Sequence, residues 1–143
     1  QRFIDRYFRL YEGVDQFMIS IVEQARELGY VTTILHRRRN VPEIHAKNRN
    51  RRELAERMAI NTPIQGSAAD IIKLAMIGCE KAIMNKGMSA KMLLQIHDEL
   101  VFELPESELA ESQSILKEAM ENAFQLSVPL VVNFEVGTNL GKN

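Results

Sequence analysis

The stretch from Leu94 to Glu103, LQIHDELVFE, places two adjacent carboxylates, Asp98 and Glu99, between two apolar runs. Neighbouring like charges repel, and burying either carboxylate is costly unless a positive charge lies close by. Carboxylate oxygens suit Mg²⁺, which takes one or two protein carboxylates together with substrate phosphates. The pair is therefore either a solvated polar turn or part of a cation site of the kind that supports phosphoryl transfer.

A second group that could carry chemistry is the polar row Arg57, Asn61 and Gln65, whose steps of four put the side chains on one helical face. These side chains offer many hydrogen-bond donors and little charge. They suit the acceptors in the minor groove of DNA, which are similar for every base pair. The alternative is the polar outer face of an ordinary helix. The run Arg37–Arg39 either binds phosphates or forms a solvated turn.

Charge is unevenly distributed along the chain, which has 143 residues and a net charge of −1. Residues 36–57 carry eight lysines and arginines against three acids, whereas residues 98–121 carry eight acids against Lys117. This asymmetry indicates either a polyanion held near a cation or two solvated helix faces. No apolar run is long enough for a membrane span, so no membrane partner is expected. The single cysteine, Cys79, excludes an intrachain disulfide and favours a reducing cytoplasm.

The elements that must position these residues follow from hydrophobic periodicity. The predicted helices cover residues 3–28, 50–61, 64–86 and a segment that begins at Pro105. Gly29 is expected to end the first helix, Gly13 to bend or split it, and Pro63 to separate the second from the third. The predicted strands cover residues 30–35, 41–44, 91–96, 100–104 and 130–136, with His97–Glu99 at a hairpin bend. The fold class is α+β, an antiparallel sheet with helices packed on one face plus a small helix and hairpin part.

Three blocks of the sequence resemble one known family. Residues 95–103 resemble the motif C hairpin of family A DNA polymerases, the group that includes bacterial DNA polymerase I. Residues 55–73 and 29–44 resemble two further stretches typical of that family, with matching spacing. The resemblance therefore extends over nearly the whole chain and implies a palm-type sheet and template-dependent DNA synthesis.

The resemblance also implies roles for individual residues. Asp98 resembles the metal ligand of motif C, and Glu99 its partner carboxylate near the metals. The residues that resemble DNA-binding positions are His97, beside the primer 3′ end, and Arg57, Asn61 and Gln65, near the nascent base pair. The implied cofactor is Mg²⁺, as two ions in the complete site. The implied partners are primer–template DNA, deoxynucleoside triphosphates and the remainder of the polymerase chain, in the bacterial cytoplasm with the nucleoid.

The resemblance assigns residues 1–64 to the remainder of the fingers and residues 65–143 to the C-terminal half of the palm. The family's other catalytic aspartate, and the lysine and tyrosine that handle the incoming nucleotide, are expected upstream of Gln1. The isolated chain is therefore predicted to be inactive, because one of the two aspartate ligands is missing. Within the chain, His36 stands where many relatives have glycine. A non-catalytic DNA-binding module and a metal-dependent nuclease are the alternative functions.

Overall fold

The structure is a computed structural model that describes residues 2–139, and side chains within residues 6–139. Its helices are α1 (Arg2–Leu10), α2 (Glu12–Leu28), α3 (Arg49–Lys86) and α4 (Leu109–Glu121). Its strands are β1 (Tyr30–Thr32), β2 (Arg38–Asn40), β3 (Lys91–Ile96) and β4 (Glu99–Glu103), and 3-10 turns lie at Pro42–His45 and Glu106–Glu108. The strands form two separate antiparallel pairs, β1–β2 and β3–β4, so the predicted α+β class is confirmed. The chain divides into two compact units, residues 1–70 and residues 71–143.

The first unit begins with a helix that is split, but not at the expected residue. The helix is interrupted at Tyr11, whose backbone has the non-helical angles φ −123° and ψ 58°, whereas Gly13 lies inside α2. Gly29 ends α2 as predicted. It adopts φ 75°, a left-handed conformation that glycine enters without steric cost, and its N–H donates to the Ala25 carbonyl.

The hairpin after α2 is shorter than its sequence pattern suggests. Val31 pairs with Arg39 in the β1–β2 register. The return strand predicted over residues 41–44 is wrong, because the pairing ends at Asn40 and the residues from Pro42 onward form a 3-10 turn. The fixed φ of proline suits the first position of a helical turn, and Pro42 has no N–H to donate to a strand neighbour. The turn still contributes to the core, because Ile44 is buried.

Small and branched residues from four elements build the core of the first unit. Its buried members are Ala25, Val31, Val41, Ile44, Ala55 and Ala59, with Ile21 and Met58 packed against them. Because alanines occupy the helix faces that meet here, α2 and α3 approach the hairpin closely. This packing fixes the N-terminal part of α3 relative to β1 and β2.

The third helix is continuous from Arg49 to Lys86 with Pro63 inside it, so the prediction of two separate helices is wrong. A proline in a helix interior costs about 3 kcal/mol relative to alanine, since it loses one hydrogen bond and crowds the preceding turn. The Thr62 hydroxyl donates to the Met58 carbonyl at 2.7 Å, one turn back. Packing of Ala55 and Ala59 into the first core supports the helix before the proline.

The second unit packs the C-terminal part of α3 against α4 and the β3–β4 hairpin. Its buried members are Cys79, Ile83, Ala90 and Leu116, with Met88, Met92, Phe102, Leu104, Ala119 and Met120 packed against them. The predicted helix after Pro105 is present, with a 3-10 turn before α4. The last strand, predicted over residues 130–136, is wrong. These residues form no strand, and the backbone N–H of Val132 donates to a Glu121 carboxylate oxygen at 3.0 Å instead.

Candidate functional site

The polar row of α3 lies along one groove of the first unit. Arg57, Asn61 and Gln65 line this groove, which has a volume of about 450 Å³. The rest of the lining comes from the same helix and from β2, through Arg39, Leu54, Met58 and Thr62. The structure therefore brings the three predicted residues together on one groove, because α3 continues through Pro63 as a single helix.

Arginines on two elements give this groove its positive charge. Arg39 reaches α3 from β2, and its Nη2 lies 3.2 Å from the Met58 sulfur. Arg57, Asn61 and Gln65 are exposed, so their donors are available to a ligand. Two guanidinium groups beside two amides can bind an anionic backbone and hydrogen-bond to groove-edge acceptors.

Arg39 is a groove residue that the sequence reasoning did not separate from its neighbours. The arginine run was treated as one patch, whereas side chains alternate between the two faces of a strand. The register that pairs Val31 with Arg39 was the missing information, since it fixes which arginine points towards α3.

The carboxylate pair lies at the tip of the second hairpin. Ile96 pairs with Glu99, which leaves His97 and Asp98 as a two-residue loop. His97 adopts φ 55°, and the Gln95 side-chain amide donates to its carbonyl at 3.0 Å. The predicted bend is thus in place, with Asp98 in the loop and Glu99 as the first residue of β4. Both carboxylates are exposed.

These two carboxylates fit a hard divalent cation as contributors, not as a complete ligand set. Among the residues that the structure describes, no three histidine, cysteine, aspartate or glutamate side chains lie close enough together to hold a metal ion. Mg²⁺ uses only one or two protein carboxylates when substrate phosphates and water fill its other positions. An exposed aspartate in a tight loop between paired strands suits that limited role.

The sequence did not predict an ionic network that joins a buried carboxylate to a partly exposed arginine. Asp70 contacts Thr33 and Arg37, which belong to the turn between β1 and β2. The available signal was a single carboxylate placed directly before Ile71 and Ile72 on a helix whose neighbouring positions are apolar. Such a residue is rarely buried without a partner.

The remaining group singled out by the sequence, Cys79, is a core residue as predicted. Its side chain is fully buried between α3 and α4, and burial raises the pKa of its thiol to about 11. The neutral thiol form is poorly nucleophilic, so Cys79 has no part in the chemistry of either candidate region.

Comparison with known proteins places the chain in a family. The family model described as DNA polymerase family A matches residues 1–142, and the chain belongs to that family. DNA polymerase I of Streptococcus pneumoniae is 51% identical over 135 residues, which are 94% of this chain and 15% of that protein. DNA polymerase I of Bacillus subtilis is 50% identical over 135 residues, with the same coverage. The chain thus spans less than a fifth of the length of these relatives.

A solved structure agrees with the sequence comparison. It is described as the POL domain of Pol1 from M. smegmatis in complex with DNA primer–template and dNTP. It superposes with a TM-score of 0.87 at 50% sequence identity, and the match covers 89% of this chain and 22% of that one. The recognition of a family A polymerase from three sequence blocks is therefore confirmed.

Within the described helices, none is long and apolar enough to cross a membrane.

Proposed function

We propose that this chain is the C-terminal part of a DNA-directed DNA polymerase of the DNA polymerase I type. The whole protein would add deoxynucleotides to a primer 3′-OH under the direction of a template. The observation that carries this proposal is the identity of about half the residues with named DNA polymerases I, sustained over 94% of the chain. The likeness to a polymerase domain bound to primer–template and dNTP supports the same substrates.

In this proposal Asp98 is the catalytic carboxylate that holds Mg²⁺, and Glu99 is its catalytic neighbour near the metal site. Asp98 would hold Mg²⁺ with the help of Glu99, and the bound ions would supply activation of the attacking 3′ oxygen and stabilisation of the leaving oxygen. The two-residue loop holds Asp98 between paired strands, and its side chain is exposed there. The remaining aspartate ligand would come from the preceding part of the polymerase chain.

The groove along α3 would bind primer–template DNA. Arg57, Asn61 and Gln65 would contact the duplex near the nascent base pair, through donors that do not distinguish one base pair from another. His97 would lie beside the primer 3′ end, next to the proposed metal ligand in the hairpin loop. Sequence-independent contacts of this kind suit an enzyme that must copy any template.

The same proposal assigns each part of the chain to a region of the polymerase and gives the protein a cellular location. Residues 1–64 would be the remainder of the fingers, and residues 65–143 the C-terminal half of the palm. The division into compact units falls a few residues later, after Asp70. The protein would act in the bacterial cytoplasm, associated with the nucleoid.

The test is primer extension with Mg²⁺, deoxynucleoside triphosphates and a defined template. The full-length protein that carries this sequence is expected to extend the primer, and the 143-residue chain alone is expected to be inactive. Template-directed synthesis by the isolated chain would contradict the assignment of the missing ligand. Mg²⁺-dependent cleavage of DNA without synthesis would indicate a nuclease, and salt-sensitive, metal-independent duplex binding alone would indicate a binding module.

A further inference from the structure

The turn between β1 and β2 is held on α3 by a buried carboxylate. The Thr33 hydroxyl donates to Oδ2 of Asp70 at 2.5 Å, and Nε of Arg37 donates to Oδ1 at 2.9 Å. Thr33 is 4% exposed and Asp70 6% exposed, so both partners are largely removed from water. Hydrogen bonds of this charge-assisted kind are stronger than neutral ones, and leaving one partner unsatisfied is costly.

Further contacts hold the same turn one helical turn earlier on α3. Nη2 of Arg37 donates to the Gly66 carbonyl at 3.1 Å, and the Ile34 backbone N–H donates to the Ser67 hydroxyl at 2.8 Å. A Cβ at Gly66 would lie 2.6 Å from Cγ2 of Thr33, closer than real contacts allow. The turn therefore approaches the helix as closely as a glycine permits, and Asp70 lies at the centre of the attachment.

With the turn attached in this way, the three arginines of the run Arg37–Arg39 have different surroundings. Arg37 is engaged by Asp70 and Gly66. The guanidinium of Arg38 lies over the Tyr30 ring, 4.7 Å from its centroid. Arg39, by contrast, lines the groove that also contains Arg57. Of the run, Arg39 is the member presented to a ligand in that groove.

We propose that Asp70 is a positioning residue that, through Thr33 and Arg37, sets the hairpin so that Arg39 faces a nucleic-acid phosphate in the groove. This proposal rests on the proposed function, because it assumes that the groove binds primer–template DNA. Asp70 itself is buried and touches no DNA. It acts by fixing the turn from which β2 begins, so that the Arg39 side chain needs little further ordering when the DNA binds.

The test measures the Kd for primer–template DNA by fluorescence anisotropy on the full-length protein that carries this sequence. Asp70→Asn is expected to weaken binding about five- to tenfold, the size of the net contribution of a typical intramolecular hydrogen bond, because the amide keeps part of the network. Removing a negative charge would by itself strengthen binding to a polyanion, so the predicted loss is opposite to a simple charge effect. Glu43→Gln is the matched control. It removes the same charge from an exposed pair, 3.8 Å from Arg51, and is expected to leave the Kd unchanged or slightly lowered.

The readout specific to positioning is the coupling between Asp70 and Arg39. Arg39→Ala is expected to weaken binding in the wild-type background and to have little further effect in Asp70→Asn, because the misplaced arginine no longer reaches the phosphate. Additive losses would overturn the proposal, since they would mean that Asp70 acts only through general stability. Unchanged affinity in Asp70→Asn would overturn it as well.

A second variant keeps the test decisive if Asp70→Asn does not fold. Arg37→Lys retains the charge but cannot reach both Asp70 and the Gly66 carbonyl, so it is expected to weaken binding, and Arg39→Ala is again expected to have little further effect in this background. Wild-type affinity in a folded Arg37→Lys would contradict the proposal. Failure of the proposed function gives a different result, because the wild-type protein itself would then not bind primer–template DNA.

Discussion

At the tip of the β3–β4 hairpin, His97 has a backbone role and a proposed side-chain role that substitution can separate. Its φ of 55° lies in the left-handed region, which costs most residues about 1 kcal/mol or more and costs glycine nothing. The same residue precedes Asp98, so its ring is proposed to lie beside the primer 3′ end. A glycine at this position keeps the loop and deletes the ring.

We therefore expect His97→Gly to preserve stability within about 1 kcal/mol and to weaken primer–template binding. His97→Ala deletes the same ring but keeps the strain of a Cβ at this φ, so it is expected to be about 1 kcal/mol less stable than His97→Gly. Chemical denaturation and anisotropy measure the two effects separately. Wild-type affinity in His97→Gly would show that the ring does not contact DNA.

The buried thiol of Cys79 also predicts how the stability of the protein depends on pH. Burial raises the pKa of its thiol from 9.0 to about 11, so the folded state binds this proton more tightly than the unfolded state does. Its contribution to stability is complete below pH 9 and is lost as the pH rises towards 11. In urea denaturation, wild type is expected to lose more stability over this range than Cys79→Ala does. Equal losses in the two proteins would contradict the raised pKa of the Cys79 thiol.

Among the elements, the polar face of α3 was predicted correctly from the sequence. The predicted break of this helix at Pro63 was wrong. Steps of four from Arg57 to Gln65 were sufficient to predict one face, since that argument depends only on helical geometry. The effect of Pro63 depends on a balance between a local cost and tertiary packing, and the packing of Ala55 and Ala59 is not visible in the local pattern. At Pro63, tertiary packing in the core outweighs the low helix propensity of proline.

This balance predicts that Pro63→Ala stabilises the protein. The substitution restores a backbone N–H inside a helix that is already continuous, and it is expected to raise the free energy of unfolding by about 1 to 3 kcal/mol. Thermal and urea denaturation give the value, with Ala68→Gly as the reverse control at an exposed helical position. A loss of stability in Pro63→Ala would mean that the helix requires the proline for its local geometry.

Strand predictions were less reliable than helix predictions for a physical reason. A helix satisfies its own hydrogen bonds, whereas a strand needs a neighbour. The alternation of residues 130–136 predicted a strand but carried no information about a partner strand, and the Val132 N–H donates to the Glu121 side chain instead. The hairpin around Asp98 was predictable because both of its strands lie in one short stretch of sequence.

At the scale of the whole molecule, each unit exposes apolar surface of a kind that isolated domains usually bury. Leu10 in the first unit is 69% exposed, and Val131 in the second is 70% exposed. On the second hairpin, Leu94 and Ile96 are exposed as well, on strand β3. Contiguous apolar surface marks places where other polypeptide packs. This agrees with the proposal that further polymerase chain covers these faces.

We expect the 143-residue chain alone to self-associate as its concentration rises, because these apolar faces and the edges of β3 and β4 are available for pairing. Sedimentation velocity over a concentration series measures this. Leu94→Lys on the exposed strand face is expected to reduce association, whereas Lys91→Arg serves as a conservative control on the same strand. A chain that stays monomeric at all concentrations would contradict the expectation.

The proposed polymerase activity requires Asp98 to hold the catalytic metal ion while the α3 groove binds DNA. Its most direct test is single-turnover primer extension by the full-length protein with Asp98→Asn, which keeps the side-chain shape and removes the charge. The expected result is a rate lowered by about two to three orders of magnitude or more, with the Kd for primer–template DNA nearly unchanged. Extension at the wild-type rate by Asp98→Asn would contradict a metal-binding role for Asp98.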